Sequence, residues 1–135
     1  MNLPPSFSGS GPVPGVIAVH PGVSSTRALE NFVPANGQGI EFVFDPKTNT
    51  FAVGKPKDPS SFGLTGSPHQ QLAGSIDADT TTVVGGTFTR GKNGEIVTTE
   101  NSGHFGQNWT SEVREQYKNF LESVTGQKVD HEIWQ

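Results

Sequence analysis

Apolar residues fall in short runs broken by glycine, proline and asparagine, and the longest helical period comes late in the chain. "GIEFVFD" (39–45) and "TFAVG" (50–54) place strong β-formers on both sides of "PKTN", which predicts a hairpin. A second hairpin is predicted over "TTVVGGTFTR" (81–90) and "EIVTTE" (95–100), with Asn93 and Gly94 as turn residues. The Gly85-Gly86 pair inside its first strand marks a bulge, or the close approach of another backbone or a ligand. In "TSEVREQYKNFLESVTGQ" (110–127), Val113, Tyr117, Phe120, Leu121 and Val124 form one apolar stripe at helical spacing. Thr110 is placed to cap that helix, Glu112 favours its first turn and Gly126 ends it.

A shorter helix is predicted in "SPHQQLAGSI" (67–76), where Ser67 and Gln70 make a capping box and Pro68 takes the first helical position. The tail "KVDHEIW" (128–134) alternates Val129, His131 and Ile133 with charged residues and reads as a last, edge strand. The order β-β-α-β-β-α-β implies an α+β fold, a largely antiparallel sheet of four to five strands packed by two helices.

Composition adds boundaries to this picture. At 135 residues the chain is one domain in size. Six of the ten prolines fall within the first 34 residues. Residues 1–15 therefore read as a Pro/Gly/Ser-rich linker, and 16–135 as a single domain. Its first part, 16–38, reads as irregular wrapping, with one or two helical turns in "SSTRALENF" (24–32). Only 31% of residues are hydrophobic, so the core is modest. There is no cysteine, which excludes disulfides, thiolate metal sites and a cysteine nucleophile. No apolar run is long enough to span a membrane, and the N-terminal residues have no signal-peptide pattern. A net charge of −4 argues against non-specific nucleic-acid affinity and leaves a local basic patch as the route to phosphate.

The candidate chemistry sits at junctions between these elements. His69 occupies the second position of the short helix, where the macrodipole favours neutral imidazole, suited to a general base. The plainer reading is a polar first-turn residue. His104 lies in "ENSGHFGQNW", between Gly103 and Gly106, with Phe105 and Trp109 offering aromatic faces to a base or ring. Trp109 equally suits a core plug, stapled to Val113. Glu100 ends a strand on the face of Ile96 and Thr98, placed to orient a histidine. Arg90 and Lys92 flank a hairpin turn and, with Lys55 and Lys57, form the one basic cluster the sequence offers. His131 reads as a satisfied structural histidine, and His20 carries no signal. No metal-ligand spacing, phosphate-binding loop, dinucleotide fingerprint or nucleophile elbow is present, so no cofactor is expected.

Two histidines with Arg, Lys, Thr and Glu match metal-independent RNA cleavage. There a base takes the 2′-hydroxyl proton, an acid protonates the leaving 5′-oxygen and a cation stabilises the crowded phosphorane. Two other readings stay open: an NAD-consuming enzyme (glycohydrolase or ADP-ribosyltransferase), with Glu100 steadying a ribosyl cation, and a non-catalytic binding module.

The phrases "IEFVFDPKTNTFAVGKP", "GSPHQQLA", "VVGGTFTRGKNGEIVTTENSGHFGQNWT" and "DHEIW" resemble the C-terminal toxin domains of bacterial polymorphic toxins, in particular polymorphic toxin type 43. The resemblance covers about residues 16–134. It implies a ribonuclease of the barnase/EndoU/colicin/RelE arrangement, acting on tRNA or rRNA. It points to His69, Arg90, Glu100 and His104 as catalytic, with Ser25 and Thr26 as weaker candidates. Lys55, Lys92, Thr98, Phe105 and Trp109 become candidates for substrate binding. It further implies a cognate immunity protein and a monomer before that partner binds. The expected setting is a larger Rhs- or contact-dependent-inhibition-type protein, secreted and delivered to the target-cell cytoplasm. The predicted mechanism has His69 as base and His104 as acid across a shared cleft lined by Arg90, with Glu100 orienting one histidine.

Overall fold

A computed structural model describes residues 15–19, 39–102 and 105–133. Strands β1 (Val16–Val19), β2 (Ile40–Asp45), β3 (Thr50–Gly54), β4 (Val84–Arg90), β5 (Ile96–Thr99) and β6 (Val129–Glu132) join in one sheet of order β1-β3-β2-β4-β5-β6. Every pairing is antiparallel except β5 with β6. Helices α1 (Pro68–Ser75) and α2 (Ser111–Thr125) complete an α+β fold. The expected strands and both helices form, and the described sheet has six strands rather than four or five.

The extra strand is β1, inside the segment read as irregular. Surrounding prolines obscure "VIAV", but a continuous apolar run suits a strand covered on both faces. The rest of that segment, with Ser25, Thr26, His20 and the helical turns at 24–32, lies outside the described residues, as does the linker up to residue 14.

Side-chain alternation divides the core into two layers. On one face, Phe42, Phe44, Phe51, Phe88 and Ile96 pack under Trp109, Tyr117 and Leu121, and the predicted stripe of α2 covers them. Phe42 stacks on both Phe51 and Tyr117 at 5.4 Å between ring centres. On the other face smaller residues, Ala18, Val43, Ala52 and Val83, receive Leu72 and Ala73 of α1 together with Phe105. The short helix sits close because the strands beneath it carry small side chains.

Both helices start and stop as their sequences dictate. Ser67 accepts from the Gln70 amide while the Gln70 side chain accepts from the Ser67 amide, closing the capping box. Thr110 accepts from the Val113 amide, and Gly126, at φ 67°, ends α2 in the left-handed region.

Candidate functional site

The end of β5 is where the chain turns around the sheet. Glu100 lies on the α2 face, Ser102 and Phe105 lie against the α1 face, and Trp109 returns to the α2 face. Gly85 and Gly86 make this possible. A Cβ on Gly86 would fall 1.7 Å from the Thr99 carbonyl oxygen. One on Gly85 would fall 2.8 Å from His69 Cδ2 and 3.0 Å from Ser102 Oγ. The glycine pair marks a close approach, of backbone on one residue and of His69 and Ser102 on the other.

His69 is 8% exposed. Its Nε2 lies 2.9 Å from the Gly86 carbonyl oxygen. A carbonyl only accepts, so Nε2 carries the proton and the neutral ring holds its lone pair on Nδ1. Nδ1 has no hydrogen-bond partner among the described residues. His69 thus combines a fixed tautomer with an unspent proton acceptor.

Among the described residues the histidine that Glu100 meets is His131, not His69 of the expected pair. The Glu100 carboxylate takes two bonds from Arg114, at 2.6 Å from Nε and 3.0 Å from Nη2. It takes a third from His131 Nε2 at 2.8 Å. The other ring nitrogen, Nδ1, accepts from the Thr98 hydroxyl at 2.8 Å. Thr98 and His131 are register partners across β5 and β6, so the parallel pairing builds this chain of bonds. Trp109 and Tyr117 flank the imidazole at 4.6 and 5.2 Å between ring centres. Burial pulls the His131 pKa down, and the Glu100 carboxylate opposes that pull. Burial also pushes the Tyr117 phenol up. Its hydroxyl faces Thr98 without a well-aligned hydrogen bond. Both His131 nitrogens are spent, as a structural histidine requires.

The shared cleft of His69 and Arg90 is not formed. Arg90 lies four residues beyond Gly86 along β4, about 13 Å at strand rise. It lies on the α2 face, donating to the Gln127 side chain at 2.7 Å and the Gly94 carbonyl at 2.9 Å. His69 is on the α1 face, so strand alternation separates the two. His104 lies outside the described residues, next to Gly103.

Other expected contacts are also reassigned. Thr98 is fully buried and engaged with His131, so it does not meet a substrate. Phe105 and Trp109, at 4% and 6% exposure, fill the two cores rather than offering stacking faces. Trp109 donates its indole N–H to the Gly85 carbonyl at 2.9 Å. Lys55 and Lys92 are exposed, and Lys92 sits in the β4–β5 turn. Sequence reading missed Arg114. Its position three residues before Tyr117, beside the apolar stripe, was the available signal. Among the described residues no group of three His, Asp or Glu side chains is placed to hold a metal ion, and no helix is long and apolar enough to cross a membrane.

A small α+β domain, with a six-stranded sheet among the described residues and a helix on each face, is the class that the fold defines. The chain belongs to the family described as Bacterial toxin 43, whose model matches residues 5–116. It is a toxin domain of the polymorphic type, as its sequence phrases imply. Glu100, Arg114 and His69 fall within the matched range and His131 beyond it. No curated protein and no solved structure matches the chain.

Proposed function

We propose that this toxin domain is a metal-independent ribonuclease in which His69 is the general base. The observation that carries the reading is the His69–Gly86 hydrogen bond, which leaves Nδ1 as a fixed acceptor. A base held in one tautomer removes the 2′-hydroxyl proton without first reorganising, and the oxygen so activated attacks the adjacent phosphorus. RNA supplies its own nucleophile, so the chemistry needs no activated serine or cysteine.

His104 takes the part of the acid by its place in the sequence, two residues beyond the Ser102 that shares Gly85 with His69. Arg90, on the other face, does not serve the same phosphate. Glu100 acts at a distance, by fixing the strand end from which the 101–105 segment leaves. Membership of a toxin family supports the rest of the reading: tRNA or rRNA as target, a cognate immunity protein as partner, and secretion with delivery into a target cell.

An NAD-consuming reaction needs an accessible Glu100 to steady a ribosyl cation and Phe105 or Trp109 as a surface on which nicotinamide stacks. All three are buried, so no observation favours it. The test is to incubate the purified domain with total cellular RNA and with NAD. Discrete RNA fragments ending in 2′,3′-cyclic phosphate are expected, with NAD intact. Free nicotinamide with intact RNA would overturn the reading.

A further inference from the structure

A cavity of about 330 Å³ opens between α2 and the end of β6, lined by Arg114, Glu115, Lys118, His131 and Ile133. It lies on the α2 face, across the sheet from His69. We propose that this cavity is a binding site for a single phosphate group, such as that of one nucleotide unit.

Arg114 is the first reason. Its Nε and Nη2 are spent on Glu100, which is buried behind it and holds the guanidinium plane in place. The remaining Nη1 has no partner among the described residues, and the side chain is 26% exposed. A guanidinium already fixed on one edge offers the other edge with little rotamer entropy left to lose. Lys118 is the second reason. It follows Arg114 by four residues, so it lies on the same side of α2. Lys118 is exposed, and its ammonium makes no hydrogen bond or ion pair among the described residues. A tetrahedral oxyanion accepts from both groups at once, one oxygen from the guanidinium edge and another from the ammonium.

The rest of the lining sets the size and charge of the occupant. His131 forms one wall, its nitrogens already bonded, and Ile133, 54% exposed, offers an apolar surface. Glu115 also lines the cavity, and its negative charge limits how much anionic charge the site accepts. The volume is that of a small-ligand pocket, on the order of 300 Å³ and upward, enough for one nucleotide and not for a strand. The site stands apart from the ribonuclease reading, since it binds whether or not the domain cleaves.

The test is a side-chain NMR titration at constant ionic strength, following the Arg114 guanidinium and the His131 ring. The probes are inorganic phosphate, a nucleoside 5′-monophosphate and sodium chloride as control. Saturable shifts with both phosphates and none with chloride are expected. A nucleoside monophosphate binding several-fold tighter than phosphate identifies a nucleotide as the occupant, and equal binding identifies the free anion. Lys118→Ala, which leaves the Glu100 pair intact, should weaken binding about tenfold. Linear, non-saturating shifts, or an unchanged affinity in Lys118→Ala, would overturn the site. His69→Ala should bind phosphate like the parent, so failure here and failure of RNA cleavage are read separately.

Discussion

Glu100 and His131, thirty-one positions apart, meet through a 2.8 Å hydrogen bond that ties the exit of β5 to the last strand. Arg114 closes the same carboxylate from α2, so one buried side chain fastens three elements. Removing Glu100 leaves the buried His131 Nε2–H without an acceptor and Arg114 without its partner, and an unsatisfied buried donor costs about 1–3 kcal/mol. Arg114 keeps part of its surface in water and adds little to that loss, so Glu100→Ala should cost about 2 kcal/mol. A urea titration followed by tryptophan fluorescence should show that loss. A change under about 1 kcal/mol would mean the set is not holding the sheet end.

His131 makes stability depend on pH with a definite sign. Burial holds its folded-state pKa below the ordinary histidine value of 6.5, Glu100 opposing in part. The unfolded chain therefore binds the proton more readily. The contribution is complete above about pH 6.5 and declines as pH falls through that value toward the folded one. Thermal unfolding should shift to lower temperature between pH 7 and pH 5. His131→Gln should lower the midpoint at pH 7 and flatten its pH dependence. An equal slope in parent and variant would remove His131 as the source.

Much of the fold was legible because local chemistry and the tertiary structure agree. The box of Ser67 and Gln70, the stripe from Val113 to Val124 and the Asn93-Gly94 turn each state a local preference that packing leaves intact. The β1 strand was hidden because "VIAV" sits among prolines, and its partner is β3 rather than a near neighbour. The site was half legible. His69 and Glu100 stand at junctions the sequence marks. What periodicity cannot supply is which face of β4 each neighbour takes, so Arg90 was placed with a histidine on the opposite layer. The Glu100–His131 contact needs the parallel register of β5 and β6, a relation between distant segments that no short stretch encodes.

The two glycines of β4 should respond differently to the same change. Gly86→Ala drives a Cβ into backbone, 1.7 Å from the Thr99 oxygen, and should leave no soluble folded protein. Gly85→Ala makes its two closest contacts with side chains rather than backbone, 2.8 Å from His69 Cδ2 and 3.0 Å from Ser102 Oγ. It should fold, lose about 1–3 kcal/mol and cut RNA at least tenfold more slowly. Circular dichroism with a cleavage assay separates the outcomes. A Gly85→Ala domain as active as the parent would mean that His69 is not held for chemistry.

The most direct measurement is the rate of RNA cleavage by His69→Ala against the parent, with both shown to be folded by circular dichroism and thermal melting. Loss of a general base predicts a fall of about 10²–10⁴-fold with the fold retained. A folded His69→Ala domain that cuts RNA at the parental rate would contradict the assignment.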